Sequence, residues 1–78
     1  METANSHNNP VRRACAILAA RDPSARSDDK GQTAAARVCE VRREAIVRWC
    51  SHGWIPKSRP LVRLHLATGV PVAELAGL

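Results

Sequence analysis

The chain predicts an all-α domain of four to five short helices, and three observations carry that expectation. Its 78 residues make one domain, near the lower end of sizes that bury a self-sufficient core. Its apolar content is Ala, Val, Leu and Ile with two Trp and no Phe or Tyr, and the dominance of Ala, Arg, Leu and Glu favours helix. No run alternates β-branched with polar residues as a half-buried strand would. A core of small aliphatic side chains yields modest stability, so dimerisation is a natural supplement.

The elements follow in order. Residues 1–9 are polar, Asn-rich and aperiodic, and predict a flexible arm ahead of a single helical domain over residues 10–78. Pro10 suits a first helical turn with Asn9 as its cap. A helix over residues 11–20 places Val11, Cys15 and Leu18 on one face, with Ala14 beside them. Asp22-Pro23 ends it, because the residue before proline is pushed out of helical geometry. Residues 24–31 carry Ser, Asp and Gly and predict a loop. A second helix spans residues 32–39, a turn falls at Glu40-Val41, and a third helix runs over 42–52 until Gly53 ends it. Trp54-Ile55-Pro56 forms an apolar connector, and the two tryptophans are expected to serve packing, Trp49 in the core and Trp54 in this connector. Ser58 is expected to cap a fourth helix bearing Pro60, Leu61, Leu64 and Leu66, closed by Thr68-Gly69. Pro71 opens a short last helix over residues 72–76.

The net charge is +5, and its placement says more than its size. Between residues 32 and 65, Arg37, Arg42, Arg43, Arg48, Lys57, Arg59 and Arg63 face only Glu40 and Glu44, while the rest of the chain is balanced. The whole surplus lies in that window, as a footprint for a polyanion would. Arg12 and Arg13 are expected to face solvent. The three cysteines, Cys15, Cys39 and Cys50, are too few and odd in number for a disulfide framework and predict buried thiols in a reducing cytoplasm. The apolar run 14–20 after Arg12-Arg13 is too short for an export signal or a membrane span.

The stretch QTAAARVCEVRREAIVRWCS, residues 32–51, carries the most information. A helix-turn-helix needs a small residue at its fifth place, where the two helices cross closely, and Ala36 stands there. It needs apolar residues at the eighth, tenth, fifteenth and eighteenth places, and here they are Cys39, Val41, Ile46 and Trp49. In the same register, Arg42, Arg43, Glu44, Val47 and Arg48 point outward from the second helix. The ninth place usually holds Gly because the turn favours positive φ, and this chain has Glu40. A side chain in left-handed geometry costs on the order of 1 kcal/mol.

The segment over residues 31–78 resembles the Cro-type repressors of temperate phages, especially the small YdaS-type members found in prophages. The Ile-Pro turn, the helix ending in Thr-Gly and the final Glu-Leu segment extend the likeness, whereas residues 1–30 share nothing beyond one plausible helix. The resemblance implies a Cro/lambda-repressor-like fold and a sequence-specific regulator, expected to be a repressor, of double-stranded DNA. In such motifs the second helix enters the major groove. Arg42, Arg43 and Arg48 are then placed to grip guanine or hold phosphate, Glu44 to accept from cytosine or orient an arginine, and Val47 to meet a thymine methyl. Gln32 and Thr33 at the first motif helix, with Lys57 and Arg59 after the connector, are candidates for backbone phosphates. The operator is expected to be palindromic and the protein a homodimer, for which Val72, Leu75 and Leu78 offer a candidate surface. Equally, these three close the monomer's own core. Removing residues 70–78 is expected to abolish dimers and spare the motif.

Other classes fit less well. Cys39, Cys50, His52 and His65 hold enough nitrogen and sulfur for zinc, yet they lack a Cys-x-x-Cys pair and the spacing of common structural sites. No nucleophile elbow or phosphate loop points to an enzyme, and no cofactor, membrane or small-molecule substrate is implied. The main rival is a small phage-type module that uses the same helical fold to bind or inhibit a protein partner.

Overall fold

The structure is a computed structural model, and it describes residues 9–22 and 31–78. Among these, the chain forms five helices and no strand: α1 (Pro10–Arg21), α2 (Gln32–Cys39), α3 (Arg43–His52), α4 (Ser58–Thr68) and α5 (Val72–Leu75). Residues 1–8 of the expected arm and all of the expected loop except Gly31 lie outside the described residues. No described helix is long and apolar enough to cross a membrane.

Helix α1 begins where Asn9 and Pro10 dictate. The Asn9 side-chain oxygen accepts from the Arg12 amide at 3.0 Å, as a cap should. Its Nδ2 also donates to the Cys50 carbonyl at 2.6 Å, so one asparagine ties the start of α1 to the last turn of α3. Asn9 therefore belongs to the folded domain rather than to the arm. At the other end, Asp22 is extended, with φ −105° and ψ 107°, as its place before Pro23 requires.

The start of α2 approaches α1 closely. Gly31 is buried with φ +83°, and a Cβ there would lie 1.9 Å from the Cys15 carbonyl oxygen. Both the dihedral and the space call for glycine. The end of α2 is a Schellman turn built without one. Glu40 has φ 59° and ψ 44°, its amide bonds the Arg37 carbonyl at 3.2 Å, and the Val41 amide bonds the Ala36 carbonyl at 3.0 Å. These are the two crossed bonds that satisfy the last carbonyls of a helix. The departure from glycine thus leaves the turn formed.

The expected start of α3 shifts by one residue. Arg42 is extended, with φ −76° and ψ 153°, because it completes the three-residue turn, and helical geometry begins at Arg43. Gly53 at φ 90° ends α3 with its amide on the Trp49 carbonyl at 2.7 Å. Ser58 is likewise the first residue of α4 rather than its cap. That place falls to extended Lys57, which makes no side-chain cap bond. Gly69 closes α4 as expected, and α5 stops at Leu75, one residue short of the expected end.

All five packing positions of the motif turn inward: Ala36, Cys39, Ile46 and Trp49 are buried, and Val41 packs against the same core. Val11, Ala14 and Cys15 join them from α1, Leu61 and Leu64 from α4, with Leu18 partly buried beside them. Leu66, named with those two leucines, is instead 76% exposed, because it sits two residues beyond Leu64 on the opposite side of α4. Trp49 is core, whereas Trp54 is 42% exposed, and its ring tilts against His52 with centroids 5.7 Å apart.

The C-terminal segment belongs to this core. Leu75 is fully buried, Val70 is buried, and the Ile55 amide donates to the Leu75 carbonyl at 2.8 Å. Leu75 consequently offers no surface to a second chain, while Val72 and Leu78 stay exposed. Deleting residues 70–78 would cut into the monomer's core, contrary to the expectation that the motif would be spared.

Candidate nucleic-acid interface

The helical period fixes which side of α3 meets solvent. Ile46, Trp49 and Cys50, at spacings of three and four, seat one face in the core. The opposite face then carries Glu44, Val47 and Arg48, all exposed, while Arg43 shares the register of Ile46 and Cys50 and is exposed in the first turn, with exposed Arg42 just before it. The structure therefore leaves all five expected base-reading residues exposed, three on the outward face of α3 and two at its start. Val47, 38% exposed, is an apolar spot between charged neighbours.

The remaining expected residues sit at helix starts. Gln32 and Thr33 open α2, half-buried and exposed respectively. Lys57 and Arg59 lie at the start of α4, both exposed. The residues in the cap positions of α2, α3 and α4, Gly31, Arg42 and Lys57, make no side-chain cap bond.

Ion pairs sort the arginines. Arg63 on α4 pairs with Glu40 at 3.3 Å, which braces the turn between α2 and α3 from outside. Arg13 on α1 pairs with Glu74 on α5, so it does not simply face solvent. Arg21 donates to the Ala67 carbonyl at the end of α4. The side chains of Arg42, Arg43 and Arg48 make no ion pair or hydrogen bond among the described residues, and neither does Glu44. The Arg63–Glu40 pair removes one charge of each sign and leaves the surplus of the 32–65 window on exposed side chains.

The residues considered for zinc serve the fold. Cys39 is buried and its Sγ donates to the Pro60 carbonyl at 3.4 Å, and burial pushes its thiol up to about 11 against the opposing pull of Arg63. His65 Nδ1 lies 2.8 Å from the Val70 carbonyl oxygen. Among the described residues no group of three His, Cys, Asp or Glu side chains is placed to hold a metal ion.

No protein-family model matches the chain, and neither the curated proteins nor the solved structures contain a match to it. Function must come from the geometry.

Proposed function

We propose that the protein is a sequence-specific double-stranded DNA-binding regulator, acting as a repressor of the Cro-type seen in phages and prophages, with α3 in the major groove. The observation that carries this reading is the outward face of α3. Arg48 stands on it and Arg42 and Arg43 at its start, none with an ion pair or hydrogen bond among the described residues, on a helix held from behind by Ile46, Trp49 and Cys50. A planar guanidinium that is not engaged within its own domain can grip guanine O6 and N7 in a bidentate fork, or a phosphate. A helix held rigidly by its core delivers such groups at low entropic cost. Lys57 and Arg59 would add phosphate contacts, which position without specifying.

A palindromic operator would be read by a homodimer, with half-sites about one helical turn apart. With Leu75 inside the monomer, Val72 and Leu78 are the members of the C-terminal group left to contribute to such a contact. This role places the protein in the cytoplasm, in keeping with three buried, reduced thiols.

Selection from a random pool of DNA duplexes with the purified protein tests the proposal. A recovered palindrome is expected, with preference over bulk DNA of about a thousandfold or more. Affinity should fall with salt at a log–log slope of roughly −0.9 per phosphate contact. Arg43→Ala and Arg48→Ala should each cost about 1–3 kcal/mol at individual base positions. No enrichment, with weak and sequence-indifferent binding, would overturn the DNA-binding role in favour of a protein-directed module.

A further inference from the structure

Two of the three thiols meet inside the core. Cys15 of α1 and Cys50 in the last turn of α3 hold their sulfurs 3.9 Å apart, and the two residues are only 1% and 5% exposed. That separation is a contact between sulfur atoms. A disulfide requires about 2.05 Å, so roughly 1.9 Å must be closed by side-chain rotation and a small slide of α1 over α3. Neither residue is among those proposed to touch DNA.

The third thiol is set apart. Cys39 is committed to the Pro60 carbonyl, and its burial keeps it protonated to about pH 11. Cys50 is opposite in character. A hydrogen bond from Cys15 lowers its thiol below the ordinary range, burial opposes that shift, and Arg12 reinforces it. A thiol whose ionisation is eased, in contact with a second thiol, is the arrangement in which one sulfur is oxidised and the other resolves.

We propose that Cys15 and Cys50 are an oxidative modification site, joined in an intramolecular disulfide by hydrogen peroxide. Peroxide is chosen because the sulfurs are nearly enclosed, and a bulkier disulfide reagent could not reach them without unfolding the domain. The Cys50 thiolate attacks one peroxide oxygen and breaks the O–O bond. Sulfenic acid forms, and the departing hydroxide takes up from solvent the proton that Cys50 released on ionising and becomes water. The Cys15 sulfur then attacks the sulfenic sulfur. An S–S bond forms, the S–O bond breaks, and the second hydroxide leaves as water with the Cys15 proton. Two thiols lose two electrons, and one peroxide becomes two waters. The bond would tie α1 to α3 and close a loop containing α2 and the whole turn, restricting the unfolded chain.

The test exposes the purified full chain to a small molar excess of hydrogen peroxide, followed by alkylation, trypsin and mass spectrometry. The expected product joins the fragment 14–21 to the fragment 49–57 within one chain, while Cys39 is alkylated. The melting temperature should rise by about 10–20 °C and return on reduction with dithiothreitol. Cys39→Ala should give the same cross-link. Recovery of Cys15 and Cys50 both alkylated, a cross-link to Cys39, or a cross-link between two chains would each overturn the proposal. Cys15→Ala should lose the temperature rise. Because that variant alters the core, its fold is checked first by circular dichroism, and the mapping of the unaltered chain decides if it fails.

Discussion

Gly31 allows a stability effect to be divided into its parts. Two glycines have nearly the same left-handed backbone, Gly31 at φ +83° and Gly69 at φ +82°, but different surroundings. Around Gly69 nothing lies within 4 Å of an added Cβ, whereas at Gly31 that atom would meet the Cys15 carbonyl oxygen at 1.9 Å and its carbon at 2.7 Å. Gly69→Ala should therefore cost the conformational term alone, about 1–2 kcal/mol. Gly31→Ala adds a backbone collision that can be relieved only by moving α2 away from α1, an overpacking cost of about 1–3 kcal/mol. Its total of about 2–5 kcal/mol is a large share of what a domain this size holds. Thermal unfolding followed by circular dichroism should show a drop of about 5–10 °C for Gly69→Ala and at least twice that for Gly31→Ala. Equal losses for the two variants would refute the close approach of α2 to α1, and with it the packing that seats the motif.

Three further perturbations follow from the same geometry. Replacing Glu40, at φ 59°, with glycine relieves about 1 kcal/mol of strain. The change gives up an exposed ion pair worth a few tenths and adds chain entropy to the unfolded state. Melting temperatures should rank Glu40→Gly above the natural chain and Glu40→Ala below it, and a lower value for Glu40→Gly would show the turn is misassigned. The Cys39 thiol titrates near 11 when folded and near 9.0 when exposed. Its contribution is therefore complete below pH 9 and is lost as pH rises through 11. Denaturant titrations should show the advantage of the natural chain over Cys39→Ala shrinking across that window by up to about 2–3 kcal/mol. Deleting residues 70–78 removes buried Val70 and Leu75 and should abolish cooperative unfolding. A truncated chain that still melts sharply would place the C-terminal segment outside the core.

What could be read from the sequence was whatever depends on neighbours within a turn or two. The five motif positions follow from helical period, and once Ile46 and Trp49 face inward, Glu44, Val47 and Arg48 turn out, whereas Arg43 shares the register of Ile46 and is exposed in the first turn. The left-handed turn at Glu40 was legible for the same reason, since its bonds run to Ala36 and Arg37. Local boundaries failed by single residues where capping choices lie close in energy: Ser58 has the side chain of a cap, yet Lys57 takes the position. Leu75 could not be told from Leu78, because a four-residue helix has no period long enough to choose. The choice rests on a hydrogen bond from Ile55, twenty residues earlier in the chain.

Long-range partners were invisible for that same reason, and they bear on the site. Counted by sequence, all the arginines contribute alike to a basic chain. In the fold they divide. Arg13 and Arg21 hold α1 against the C-terminal helices, and Arg63 braces the turn through Glu40. Arg42, Arg43 and Arg48 are given no such task among the described residues. Arg37 on α2 and Arg59 on α4 are likewise unengaged among the described residues, so what distinguishes α3 is that three such arginines lie along it and at its start. A helix pair alone would serve a protein partner as well as DNA. The proposal for DNA rests on the three unengaged guanidinium groups along α3 and at its start, with Glu44 as the one acid among them, which suit a partner rich in phosphate and in paired acceptors.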